Sequence, residues 1–313
     1  MILPRVGRMS GRNQSNFLVH LLISPMLIIP QQLFEQPNVH TLLRSGNTAV
    51  LVKSLSEPVY EREGYVSSHV VSMVLDGEQR IYTPNDRQVR VQAGELLLIP
   101  RGLYQISDLL PVSGEPFRSL LFYFEDEIVH EFLDQSEHNP TERSAPFELL
   151  RLPPHPTLRQ FADTTLTVYQ TNCCGSKVLV RLKILELLHL IDQLCGPQRL
   201  TESLFNLTLP RRRSLRQFME RNFNKPLKIK DFAYLTGRSV SSFRRDFKEQ
   251  FATTPNQWLK QRRLDHATEL LRHNSDPVES IALSAGFKNA SYFVQEFRKR
   301  EGRSPGRFRA ELK

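Results

Sequence analysis

Residues 229–247, IKDFAYLTGRSVSSFRRDF, and residues 278–297, VESIALSAGFKNASYFVQEF, read as two copies of one unit. Ala233 and Gly237 recur 49 positions on as Ala282 and Gly286; Phe243, Phe247 and Pro255 recur 50 positions on as Phe293, Phe297 and Pro305. A fixed offset marks duplication of one supersecondary unit. In each copy a short apolar-periodic helix ends at a glycine, a turn follows, and a second helix carries two phenylalanines four apart, with both rings on one face. Small Ala where helices cross closely, Gly where a turn needs positive φ and an apolar stripe behind the second helix are what a helix-turn-helix requires.

In the first copy Ile229, Phe232 and Ala233 face inward, and Val240, Phe243 and Phe247 anchor the second helix. Its outward face holds Ser241, Arg244, Arg245 and Lys248. In the second copy Asp276-Pro277-Val278-Glu279 reads as N-cap, N1 proline and capping-box glutamate. The second helix there presents Ala290, Ser291, Val294 and Gln295 outward, with Arg298 and Lys299 a turn later. Between the copies a single helix starts at Thr254-Pro255, carries Trp258, Leu259, Leu264, Ala267, Leu270 and Leu271 on its apolar side, and ends near Asn274. About twenty residues span roughly 30 Å, close to the ~34 Å between successive major grooves on one face of B-DNA. A strut of that length sets both second helices into adjacent grooves of one duplex, with surrounding Lys and Arg on phosphates and a few side chains at base edges.

Charge agrees with this placement. The net charge is +9, but residues 211–313 hold 24 Lys+Arg against 11 Asp+Glu, whereas residues 1–210 hold 18 against 22. All the positive excess lies in the last third, the mark of a module for a polyanion joined to a domain with another task. The chain of 313 residues, 40% of them apolar, is long enough for two cores and too ordinary in Gly, Pro and charge to be disordered or collagen-like.

Cys173, Cys174 and Cys195 are an odd number without zinc spacing, which fits a reducing compartment and thiols that are simply small apolar residues. Arg5, Arg8 and Arg12 precede an apolar run from Phe17 to Ile29, the order of a secretory signal; His20, Ser24 and Pro25 interrupt it, and 13 residues fall short of a bilayer span. Residues 1–40 are therefore expected to be a poorly ordered extension or an early strand, with no membrane partner.

From about Thr48 to Phe124 the chain reads as short strands, a small β-barrel or sandwich. Leu75-Asp76-Gly77-Glu78 is a hairpin signal, and Gly94-Glu95 opens the run Leu96 to Ile99, closed by Pro100-Arg101-Gly102. Helical texture follows: Leu158 to Asn172, then Lys177 to Leu194 with a broad apolar face that includes Leu179, Leu182 and Leu185. So wide a face packs on two surfaces at once: the β-domain on one side and, on the other, either a second copy of the chain or another helix of the same chain. Gly196-Pro197 ends this helix. The expected organisation is a β-barrel regulatory and dimerisation domain over 41–195, a linker over 196–213 and an all-α double helix-turn-helix over 214–313, an α+β chain overall.

The motifs Ile281-Ala282, Ala285-Gly286-Phe287, Tyr292-Phe293, Phe297-Arg298-Lys299 and Gly302-Arg303-Ser304-Pro305 resemble the signature of AraC/XylS-type transcription regulators, with Arg263-Leu264, Ala267 and Leu270-Leu271 matching their linker helix. The resemblance covers about Arg213 to Arg309. It implies that both motifs of one subunit bind one asymmetric double-stranded DNA site, with activation through RNA polymerase. Gly94 to Gly102 and Leu179 to Leu188 are similar to the ExsA-like activators of type III secretion genes, and this implies a cupin-like barrel controlled by a regulatory protein. Sugar-responsive members bind a small molecule in the barrel instead, so the alternative is control by a small apolar ligand inside the barrel, a fatty acid or an aromatic effector.

Two positions depart from the family pattern. Gln105 stands where cupin-like barrels carry a metal-binding His, and His69 lacks an H-x-H companion; no metal, cofactor or catalytic residue is expected, against the rival reading of a cupin-type enzyme with a DNA-binding tail. Gln295 stands where many members carry Arg, which turns the second motif toward adenine or weakens its readout. The expectation is a cytoplasmic DNA-binding regulator and not an enzyme.

Overall fold

The computed structural model describes residues 26–83, 87–136, 149–169, 176–196, 198–209 and 212–312. Cys173 and Cys174, and most of the expected N-terminal extension, lie outside them. The chain divides into two units, one spanning Leu27–Pro210 and one built on Arg211–Lys313.

The first unit contains two sheets. One has the order β1-β4-β9-β6-β7, from β1 (Leu27–Ile29), β4 (Val59–Val66), β9 (Gly102–Leu109), β6 (Glu78–Tyr82) and β7 (Gln88–Gln92). The other has the order β11-β8-β5-β10-β3-β2, from β11 (Leu150–Leu152), β8 (Leu96–Ile99), β5 (His69–Asp76), β10 (Phe117–Phe124), β3 (Thr48–Leu55) and β2 (Val39–Ser45). Strand β1, within the expected extension, pairs in parallel with β4, Leu27 opposite Gly64.

Alternation explains why β5 is apolar almost throughout. Val70 and Val74 point into the core between the sheets, and Val71, Met73 and Leu75 point to the opposite face. That outer face is covered by helices α1 (Asp126–Gln135), α2 (Pro156–Tyr169), α3 (Lys177–Cys195) and α4 (Arg199–Thr208), which contribute Phe132, Phe161, Ile184, Leu188 and Leu204 to the same cluster. A strand buried on both faces reads as a continuous apolar run.

Two sequence expectations change here. The Asp76-Gly77 bend does not make a hairpin, because β5 pairs with β8 and β10 and β6 pairs with β7 and β9. Both edges of β5 are occupied, so the chain crosses to the other sheet at Gly77, where φ is +91° and a Cβ would stand 2.3 Å from the Leu109 carbonyl oxygen. The expected linker 196–213 contains α4, whose buried Leu200 and Leu204 belong to the first unit's core. Its apolar residues recur at helical spacing, and that amphipathic pattern was hidden by the polar composition of the stretch.

The second unit is all helical: α5 (Leu215–Asn222), α6 (Ile229–Leu235), α7 (Val240–Phe251), α8 (Pro255–His273), α9 (Val278–Ser284), α10 (Ala290–Glu301) and α11 (Pro305–Ala310). The duplication extends to the caps. Ser239 and Asn289 each accept a hydrogen bond from the backbone three residues on and start α7 and α10; Thr254 and Ser304, each followed by proline, do the same for α8 and α11. Asp276 does not cap α9: that helix begins at Val278 with Pro277 at the N-cap, which leaves Asp276 one residue too far upstream.

Candidate nucleic-acid interface

The phenylalanine pairs decide which faces of α7 and α10 are free. Phe243 and Phe247 are fully buried, their rings 5.6 Å apart, and Phe247 continues onto Phe251 and Trp258. Phe293 and Phe297 are equally buried and pack on Phe287 and Phe308. At 100° per residue the opposite side of each helix must face away from the core. On α7 it carries Ser241, Arg244, Arg245 and Lys248, all exposed. On α10 it carries Ser291, Gln295, Arg298 and Lys299, also exposed.

Ala290 and Val294 do not stand on that side. Both are half-buried and pack against the core of the second motif, because each lies three residues before a buried phenylalanine and so flanks the apolar stripe. Tyr292, which the sequence reading left out, occupies the exposed face instead, half of it open to solvent. It stands 100° from both Ser291 and Phe293, on the flank of the apolar stripe where its ring reaches Phe287 while half of it stays open.

Electrostatics differ between the basic side chains. Asp246 is held by Arg238 at 2.9 Å, and this hydrogen bond, opposed by desolvation, keeps its carboxyl below the usual range. Arg245 touches the same carboxylate at only 3.3 Å and is far more exposed than Arg238, so its charge is available outward. Lys299 is committed to Glu296 at 2.9 Å, which also takes Lys260 of α8 at 2.9 Å. Arg244, Lys248 and Arg298, exposed and outside these ion pairs, are thus the freer cations of the two faces.

The strut helix holds both motifs in one frame. Its first half meets Phe247 and Phe251 through Trp258, and its second half supplies Leu264, Ala267 and Leu271 to the core around Phe293 and Phe297. Arg263 donates to the Phe223 and Lys225 carbonyls, both at 2.8 Å, and burial pushes its guanidinium down to about 10. Arg300 of α10 returns to Asp265 and Thr268 of α8. At Gly286, with φ +94°, a Cβ would lie 2.5 Å from the Asn224 carbonyl oxygen, so the turn of the second motif rests on the backbone before the first. Nineteen residues of α8 span about 28 Å, near the spacing of successive major grooves.

The remaining candidates belong to the first unit. Leu179 and Leu182 of α3 are exposed, Leu182 at 56%, but Leu185 is 6% exposed and part of the helix-on-sheet core. Leu185 is three residues from Leu182 yet beside Ile184 and Leu188 on the inward face, so it cannot serve a second surface. Val178, at 63%, completes the open apolar patch in its place. His69 is buried and satisfied, with Nε2 3.0 Å from Asp126 Oδ1 and Nδ1 accepting from the Arg101 backbone at 3.3 Å. Gln105 is exposed on β9. Among the described residues no group of three His, Cys, Asp or Glu side chains is placed to hold a metal, and no helix is long and apolar enough to cross a membrane.

Two family models match the chain: the helix-turn-helix domain over residues 232–311 and the ExsA N-terminal regulatory domain over residues 69–202. The first takes in the motif pair and the strut, and the second runs from β5 into α4. The two matches together make the chain similar to AraC-type transcription regulators in both of its units. The thermoregulatory protein LcrF of Yersinia pestis is 28% identical to this regulator over 220 residues, 69% of this chain and 80% of its own. The HTH-type transcriptional regulator ExsA of Pseudomonas aeruginosa is 28% identical over 249 residues, 76% of this chain and 85% of its own. Among solved structures, ToxT of Vibrio cholerae O395 aligns over 88% of this chain and 99% of its own, with 12% identity and a TM-score of 0.37. The regulator thus binds DNA through its helix-turn-helix domain.

Proposed function

We propose that this regulator reads one asymmetric duplex site with α7 and α10 of a single subunit and activates transcription there through contact with RNA polymerase. The observation that carries the reading is the pair of exposed polar faces held in one frame by α8: Ser241, Arg244, Arg245 and Lys248 on α7, and Ser291, Tyr292, Gln295, Arg298 and Lys299 on α10. Arginine with two parallel donors pairs best with guanine and glutamine with adenine, so α7 and α10 read different bases. The similarity to LcrF and ExsA supports virulence or type III secretion genes as the targets.

The unit over 27–210 is the regulatory domain in this reading. The open patch of Val178, Leu179 and Leu182 supports pairing of two copies, and the ExsA-type domain supports control by a regulatory protein. A second reading, control by an apolar small ligand, is favoured by a cleft between the two sheets. The protein works in the cytoplasm as a binder of DNA, without chemistry of its own. Sequencing of genomic fragments retained by the full chain, then gel-shift titration of a retained site against a scrambled duplex, tests the central statement. Preferential binding of the retained site is expected; equal affinity for the two duplexes rejects sequence readout.

A further inference from the structure

The duplication puts a carboxylate at the same point of both second helices. Asp246 follows Phe243 by three residues, and Glu296 follows Phe293 by three. In the first motif that carboxylate has an inward task. Arg238, directly after the turn residue Gly237, has a side chain only 8% exposed and donates to Asp246 at 2.9 Å. A buried guanidinium without a carboxylate is costly, so Asp246 holds the turn to its own helix. In the second motif the residue directly after Gly286 is Phe287, which is buried in the apolar core. Glu296 has no buried cation at that place to neutralise.

It takes two outer cations instead. Glu296 is 8% exposed, and its two oxygens meet Lys299 of α10 and Lys260 of α8, each at 2.9 Å. The hydrogen bond from Lys260, then that from Lys299, hold its carboxyl below the usual range against the opposing effect of burial, so it is charged at neutral pH. The lysine side chains are 44% and 62% exposed. They stand on the flank of α10 that carries Tyr292, which lies within electrostatic reach of Lys260. A helix seated in a major groove has phosphates along its flanks, and lysines there add affinity for any sequence. One carboxylate against two ammonium groups cancels one of the two positive charges.

We propose that Glu296 is a specificity-determining residue of this regulator, which withholds the flank lysines of α10 from phosphate so that the second motif depends on its base-edge contacts. The proposal rests on the reading of α10 as a helix that enters the duplex. At a cognate site the base contacts fix the register, and a freed lysine gains only what that register offers. A wrong sequence imposes no register, so the freed lysine takes the nearest phosphate, and discrimination narrows.

Fluorescence anisotropy of the full chain on a retained genomic site and on its scrambled counterpart, over a range of salt, tests this. Glu296→Gln should bind the scrambled duplex about fivefold tighter at about 0.15 M salt and steepen log K against log salt by about 0.9, with a smaller gain on the retained site. Combining it with Lys260→Gln returns the local charge to its original value and should restore both the slope and the scrambled affinity. Glu296→Ala should steepen the slope equally and keeps the test open if the glutamine variant misfolds. An unchanged slope, an equal gain on both duplexes, or no restoration in the double variant overturns the proposal. Weaker binding at an unchanged slope also overturns it and makes Glu296 a brace between α8 and α10. Wild type that binds both duplexes equally rejects sequence readout itself, whereas discrimination by wild type with Glu296→Gln unaltered rejects only the role of Glu296.

Discussion

Arg245 and Arg298 are both exposed cations on the open faces of α7 and α10, yet their surroundings differ. Arg245 sits at the centre of the exposed α7 face, with Asp246 already held by Arg238. Arg245→Ala is expected to cost roughly 1 to 3 kcal/mol at one cognate base pair and to relax preference there. Gel shifts on single-base variants of the site check this; uniform weakening across them would reassign Arg245 to phosphate. Arg298 lies a turn beyond Gln295, toward the end of α10, so Arg298→Ala should weaken all sequences alike and lower the slope of log K against log salt by about one unit. The duplication also exposes one strained residue: Ala252 closes α7 at φ +54°, where Gly302 closes α10 at φ +73°. Ala252→Gly is expected to stabilise the second unit by about 0.5 to 1 kcal/mol and Gly302→Ala to destabilise it by a similar amount, read from urea unfolding midpoints.

Helix α3 shows how one element divides its faces. Val180, Ile184, Leu187, Leu188 and Ile191 are buried against the sheet and the neighbouring helices, whereas Val178, Leu179 and Leu182 remain open near its start. Leu182→Lys should therefore leave the fold intact and shift sedimentation of the full chain toward monomer. Leu185→Lys places an unpaired charge in the core and should cost more than about 4 kcal/mol, enough to unfold the first unit. A wild-type chain that sediments as a monomer at micromolar concentration with and without DNA would remove the second-copy role from this patch. The sequence showed the width of the apolar face. It could not show which flank of that face the sheet and the neighbouring helices cover, and that phase around the helix separates Leu182 from Leu185, since Val180, nearer the start, is fully buried.

At the scale of the molecule, the basic excess and both motifs lie in residues 211–313, and their internal contacts run through α8. A fragment of residues 211–313 should bind its site as a monomer, with the base preference of the full chain. Fluorescence anisotropy on the specific and scrambled duplexes checks this. Loss of all binding in a fragment that retains helical circular dichroism would show that the first unit contributes to DNA contact.

The sequence alone determined the second unit. Its order is local: caps, glycine turns and phenylalanine pairs act within about one helical turn of each other, and the 50-residue repeat supplied each signal twice. Even there, Val294, expected outward, packs on the core and Tyr292, left unassigned, is exposed, because which flank of an apolar stripe meets solvent depends on the neighbouring helix. In the first unit the sequence marked strands and turns but not their partners. Asp76-Gly77 reads as a hairpin until β8 and β10 occupy both edges of β5, and residues 199–208 read as linker until the sheet's outer face needs covering. Partners across two packed sheets are set by strand order and register, which no local pattern encodes.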